Sequence, residues 1–206
     1  MTLWVHQIKT PIAGLRLLIQ SGDLSLRILS MQVLRIEQYV DMMMYYVKMG
    51  HMNQDLKIEH YKIGDIVNEV VKKQSLFFIH KKISLQLEEL DEKILTDEKW
   101  TSFIIEQILS NALKYTKEGS IHICMKNQTL YIKDTGIGIK KEDLPRVFEK
   151  GFTGTNGRID KKASGLGLYL VKNICDTLGY PIHIESIINQ GTTVSICFEK
   201  KPLIVE

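Results

Sequence analysis

The rhythm of hydrophobic positions changes about a quarter of the way along the chain. Over residues 1–50 it is helical: Val5, Ile8, Ile12, Leu15 and Ile19 recur every three or four residues. Leu29, Val33, Ile36, Val40, Met43 and Val47 then alternate fours and threes as in a coiled-coil seam. Between these arms "SGDLS" (21–25) supplies turn chemistry, with Asp23 or Ser25 as the cap of the second helix. The pattern predicts a helical hairpin. Trp4, Pro11 and Leu18 broaden the apolar stripe of the first arm, and Met42 to Tyr46 that of the second. One seam cannot hide so wide a stripe, so two hairpins pairing into a four-helix bundle, a homodimer, is the expected assembly.

After "MGHMNQD" (49–55) helix and strand rhythms alternate. Helical spacing covers 63–80, 98–115 and 165–178, and strand patterning marks 83–87, 121–125, 130–134, 182–186 and 193–198. Helices interspersed with mainly hairpin-like strands predict an α+β or mixed α/β domain with its helices on one sheet face. The expected division is therefore a hairpin over 1–52 and a second domain over 53–206, long enough for its own core. "EKGFTGTNGRIDKKASG" (149–165) has no core-forming run and reads as a long mobile loop, of the kind that forms lids or stays disordered.

Composition adds exclusions. With 44% hydrophobic and 25% charged residues the chain is ordinary for a globular protein, and a net charge of +3 gives no ground for a nucleic-acid partner. Cys124, Cys175 and Cys197 are far apart, lack C-x-x-C spacing and fall in apolar segments, so buried, reduced thiols in the cytosol are expected rather than a zinc site or a disulfide. There is no signal-peptide pattern, and no apolar run reaches the ~20 residues of a bilayer span. Hardly a turn of helix precedes His6, so the expectation is a cytoplasmic portion of something longer.

Candidate chemistry begins at "VHQIKTPI" (5–12). Pro11 cannot donate to the carbonyl of Gln7, so the helix is expected to bend or loosen beside His6, whose ring lies off the seam, exposed, with Thr10 one turn on. Alone, that is an ordinary surface histidine. In "EQILSNALKYT" (106–116) Gln107, Asn111 and Lys114 cluster at helical spacing, either as a polar surface stripe or as a cation- and phosphate-binding edge. "DTGIGI" (134–139) ends a strand with a carboxylate and two glycines, which is a plain turn or a close approach to a ligand amine. "SGLGLYL" (164–170) opens a helix with two glycines, a flexible cap or an anion site. "QGTTVSI" (190–196) is a turn into a strand. There is no Walker loop and no H-E-x-x-H motif.

The order of these stretches, downstream of a histidine hairpin, resembles the sensor histidine kinases of two-component systems over essentially the whole chain. The implied fold is α+β: a hairpin forming a dimeric four-helix bundle, followed by a Bergerat-type (GHKL) α/β sandwich that binds ATP. The wording of "WVHQIKTPI", "GFTGTNGR" and "SGLGLYL" is similar to that of short-sensor kinases of Gram-positive bacteria responding to cell-envelope antibiotics, often beside a peptide-exporting ABC transporter. The resemblance implies that His6 takes the γ-phosphoryl group of ATP and passes it to an aspartate of a response regulator, from a full-length protein in the cell membrane. It makes Asn111 a Mg²⁺ ligand, Lys114 a phosphate contact, Tyr115 an aromatic wall and Asp134 the acceptor from adenine, with Gly136 and Gly138 framing the pocket. Gly165, Leu166, Gly167 and Leu168 form the phosphate-facing helix start, and Thr193 lies near adenine. Phe148 and Phe152 anchor the lid, and Lys150 or Arg158 reaches the γ-phosphate. Thr10 matches the residue linked to dephosphorylating the regulator. The chain departs from the family pattern at Gln7, where an acidic residue is common, and at Gln107, where asparagine is; Gln7 can orient His6 but takes no proton, and Gln107 can still assist the metal. Water-activating relatives carry glutamate at the position of Gln107, and Glu106 is about 100° round the helix from it. The alternatives are a GHKL-type ATPase without histidine transfer and a nucleotide-binding dimeric scaffold.

Overall fold

The structure, a computed structural model, describes residues 2–22, 25–154 and 164–199, without the side chains of 2–6 and 53. Helices α1 (Thr2–Ser21) and α2 (Leu26–Lys48) pack against each other as the expected hairpin. The helix runs through Pro11 without a break, so the loosening expected there is not seen as a change of secondary structure. Asp23 lies outside the described residues, and Ser25 takes the N-cap position of α2 without a side-chain capping bond.

A 3₁₀ helix (Met49–Gln54) leads into β1 (Glu59–Lys62), α3 (Ile63–Lys81), β2 (Ser84–Leu87), β3 (Lys93–Thr96) and α4 (Glu98–Tyr115). There follow β4 (Ser120–Lys126), β5 (Thr129–Asp134), α5 (Gly167–Leu178), β6 (Ile182–Ile187) and β7 (Gly191–Cys197). Five strands form one sheet in the order β2-β4-β5-β7-β6; β2 pairs parallel with β4, and every other pairing is antiparallel. β1 and β3 form a separate antiparallel pair. The sequence reading lacked both of these strands. Each is four residues long, too short to show a period of two, and each exists because the other lies beside it.

α3, α4 and α5 pack side by side, with α4 central, against one face of the sheet. Ile104, Ile105, Leu109, Ile121, Ile123, Leu130, Leu170, Val171 and Ile174 are completely buried between them. That alternation leaves the other sheet face open. Cys124 and Cys197 fall on the open face and are half-buried, correcting the expectation of three buried thiols. Cys175 is buried, and burial pushes its thiol up to about 12.

The hairpin does not hide its whole stripe against itself. Met42 is buried, and Tyr45 stacks on Phe103 (4.1 Å between centroids) and meets the edge of Trp100 (5.0 Å). The Tyr45 hydroxyl donates to the carbonyl of Lys99 at 3.1 Å; burial and nearby carboxylates push it up to about 12, keeping it a donor. Lys73 Nζ of α3 joins Asp41 of α2 (3.2 Å) to Glu106 of α4 (3.0 Å).

Candidate functional site

A cavity of about 460 Å³ lies where α4, the end of β5, the start of α5 and the helical hairpin meet. Its size is that of a small-molecule site. Ile108, Ala112, Ile132, Ile184 and Val194 give it apolar walls.

α4 contributes most, because both of its ends are pinned. Asp97 caps the N-terminus, accepting from Trp100 N (3.1 Å) and from Lys57 N (2.8 Å). At the other end Lys81 Nζ donates to the carbonyls of Leu113, Lys114 (3.2 Å) and Thr116 (3.0 Å), satisfying orphan acceptors of the last turn. Between these anchors Gln107, Asn111, Lys114 and Tyr115 all line the cavity. Lys114 Nζ lies 5.0 Å from the centre of the Tyr115 ring.

Asp134, at the end of β5, is buried and lines the cavity. Its Oδ1 accepts from Gly136 N (2.8 Å) and Thr192 N (3.3 Å). Burial raises its carboxyl above the usual aspartate range, and those two backbone bonds pull partly the other way. Gly138 lines the cavity with φ +70°, and a β-carbon there would strike the carbonyl of Ile187. Gly136 packs against the Tyr115 carbonyl (2.6 Å from an added β-carbon) and stands behind the cavity, not on its wall.

The start of α5 brings Gly165, Gly167 and Leu168 to the cavity. Gly165 has φ +64° with the backbone of Gly151 pressed against it, so any side chain would push that segment away. Leu166 turns inward, 5% exposed, and belongs to the core rather than the lining. The first N–H groups of α5 have no acceptor within the helix and form a positive edge suited to an anion.

Other expected residues are displaced. Thr193 does not face the cavity: Thr192 and Val194 do, because side chains alternate along β7. Lys150 donates to the Tyr46 hydroxyl at 2.7 Å and lies over the Tyr46 and Tyr169 rings (4.9 and 5.7 Å), outside the lining. Phe152 lines the cavity with the Arg146 guanidinium 4.5 Å from its ring centre; Phe148 does not line it. Residues 155–163, hence Arg158 and most of the expected lid, lie outside the described residues.

The hairpin closes the remaining side. Gln7, Thr10 and Pro11 of α1 and Arg35 of α2 reach the cavity, and Gln7 is 8% exposed. His6 lies in α1 beside Gln7; its side chain is outside the described residues. Sequence reading missed Lys81, Arg35 and Gln74. Gln74, 1% exposed, lines the cavity with its Nε2 unpartnered. No local signal marks any of the three: each comes from a helix other than α4 and meets the cavity only through packing. Glu106 is absent from the lining. Burial raises its carboxyl, and its partner Lys73 offsets part of that rise.

The family described as histidine kinase-, DNA gyrase B- and HSP90-like ATPase matches residues 96–202. Over its full length the chain is 35% identical to the sensor histidine kinase GraS of Staphylococcus epidermidis and to the sensor protein kinase GraS of Staphylococcus aureus. It spans 61% of the length of each. Among solved structures, the Acinetobacter baumannii histidine kinase AdeS superposes with a TM-score of 0.63 at 22% identity, over 95% of this chain and 98% of that one. Full-length ShkA in complex with AMPPNP gives 0.62 at 21%, over 84% of this chain and 40% of that one. These structures share the fold, the α/β sandwich that the resemblance implied.

Proposed function

The chain belongs to the histidine kinase-, DNA gyrase B- and HSP90-like ATPase family, and on that premise we propose that it is the catalytic portion of a sensor histidine kinase. Residues 1–52 are its dimerisation and phosphotransfer hairpin and 53–206 its ATP-binding domain. One observation carries the reading. Gln7, next to His6, and Thr10, one turn on, line the same cavity as Asn111, Lys114 and Asp134.

Asp134 accepts from the exocyclic amine of adenine, Tyr115 walls the ring, and the start of α5 with Gly165 and Gly167 takes the phosphates. The side-chain oxygens of Asn111 and Gln107 stand one helical turn apart on the cavity wall. They fit Mg²⁺ as part of a shell completed by phosphate and water. When bound, Mg²⁺ offsets the charge of the transferring phosphate. A neutral imidazole nitrogen of His6 attacks the γ-phosphorus as the bond to the ADP oxygen breaks, and ADP leaves. The phosphoryl group then moves to a regulator aspartate, a new P–O bond replacing P–N. Gln7 orients the imidazole by hydrogen bonding. Lys114 and Arg158 are the phosphate cations in this scheme, Lys150 being held by Tyr46. Thr10 serves the reverse task of dephosphorylating the regulator. Glu106, engaged by Lys73 away from the cavity, is not placed to activate water, which disfavours a simple ATPase.

The assembly proposed is a homodimer through the hairpin, attached to the cell membrane by sequence present in longer relatives, where an ABC transporter is a candidate partner. No helix among the described residues is long and apolar enough to cross a membrane. The test is labelling from γ-labelled ATP with Mg²⁺. Acid-labile, alkali-stable label on the wild type and none on His6→Gln supports the proposal; a wild type that binds ATP yet never labels overturns it.

A further inference from the structure

We propose that Glu88, His122 and Cys124 form a binding site for a borderline-soft divalent cation of the zinc class on the open face of the five-stranded sheet.

The placement follows from strand geometry. Ile121 and Ile123 of β4 are fully buried against the helices, so His122 and Cys124, two residues apart, stand together on the opposite face. β2 runs parallel beside β4 with Leu87 opposite Ile123, and Glu88 N donates to the Ile123 carbonyl at 3.0 Å. That bond sets Glu88 next to both side chains. Its Oε1 lies 2.8 Å from His122 Nε2, and the three possible ligand atoms all fall within 4.8 Å of one another.

Donor type selects the ion. One sulfur, one imidazole nitrogen and one carboxylate oxygen suit Zn²⁺ and its neighbours, whereas Mg²⁺ and Ca²⁺ take oxygen shells. Bond lengths of 2.0–2.3 Å put tetrahedral ligands about 3.5 Å apart. Glu88 is exposed and can close the remaining distance, and Cys124 and His122 are half-buried and so reachable. A water completes the shell. Lys133 stands opposite His122 across the β4–β5 ladder, and Lys126 follows Cys124 on the same face. Their charge weakens the site relative to a dedicated structural zinc centre. The site is separate from the cavity, which takes Ile132 from the other face of β5. Motif spacing could not show it, since one ligand comes from a neighbouring strand.

The test is a Co²⁺ titration of the reduced 206-residue chain, followed by displacement with Zn²⁺ and by calorimetry with Zn²⁺ alone. Expected are one Co²⁺ per chain, a thiolate-to-cobalt charge-transfer band and loss of that band in Cys124→Ser. His122→Gln and Glu88→Gln should each weaken Zn²⁺ binding at least tenfold. The deeply buried Cys175 is no competitor for the band. ATP binding measured on each variant is the control for folding, and the two glutamine variants keep the test alive if Cys124→Ser misfolds. No thiolate band in the wild type, a band that survives Cys124→Ser, or Zn²⁺ affinity unchanged in both glutamine variants overturns the proposal.

Discussion

At the residue scale, Asp134 carries a burial cost that its proposed role as the acceptor from adenine would explain. Burial favours its protonated form, and two backbone N–H groups partly restore the charged one. An acid raised by folding contributes stability below its unfolded pKa and loses it as pH rises through the folded value. Near neutral pH the ionised group is therefore the costly one. Asp134→Asn keeps an oxygen for Gly136 and Thr192. We expect it to melt at or above the wild-type temperature at pH 7, an advantage that fades on acidification and is read by scanning calorimetry. The same variant should bind ATP at least about tenfold more weakly, about 1.4 kcal/mol, by calorimetry. For the wild type, ATP affinity should begin to fall at a higher pH than an ordinary aspartate would give, as the acceptor gains its proton. That shift should be absent from the Asn variant.

At the scale of elements, α4 matters because it holds Gln107, Asn111, Lys114 and Tyr115, the side chains proposed to meet metal, phosphate and adenine, at fixed heights on the cavity wall. Its N-terminal cap was within reach of the sequence, though not singled out there, since Asp97 followed by Glu98 is a helix-start signal. Its C-terminal clamp was not, because Lys81 comes from the end of α3 and reaches the last carbonyls only after the helices pack. Hydrogen bonds to a charged group are each worth about 1.5–3 kcal/mol, and a buried carbonyl left unpaired costs about 1–3 kcal/mol. Lys81→Met should therefore cost roughly 2–4 kcal/mol in urea unfolding. It should also weaken ATP binding, because Asn111, Lys114 and Tyr115 sit in the freed turn. Unchanged affinity would show that packing alone positions that turn.

At the scale of the whole molecule, one side of the hairpin packs on the second domain and the other is left exposed. Met42, Tyr45 and Tyr46 face the second domain, a role the coiled-coil pattern did not reveal. Leu26, Val33, Val40 and Val47, seven residues apart along α2, remain exposed at 80, 45, 40 and 66%. A heptad stripe of this kind is the edge of an unmade seam. Changing Val33 and Val40 to Lys should shift sedimentation from dimer to monomer and leave ATP binding within about threefold, under 1 kcal/mol. Because Gln7 and Asn111 of one chain share a cavity, transfer within a chain is expected. Mixed dimers of His6→Gln with Asn111→Asp should then carry no label, and labelled mixed dimers would indicate transfer between chains.

The hairpin, the three helices and five strands of the second domain, and the motif order that points to ATP could all be read from residue order alone. Those features rest on local periodicity and on glycines or carboxylates at fixed offsets, which need no knowledge of distant chain. Tertiary structure decided that Thr192 rather than Thr193 faces the cavity, because the register of β7 against β5 sets which alternate side points inward. It also decided that Lys150 is held by Tyr46, that Gln7 is buried, and that β1 and β3 exist at all. Each depends on a partner remote in sequence, and no window along the chain contains both members of such a pair.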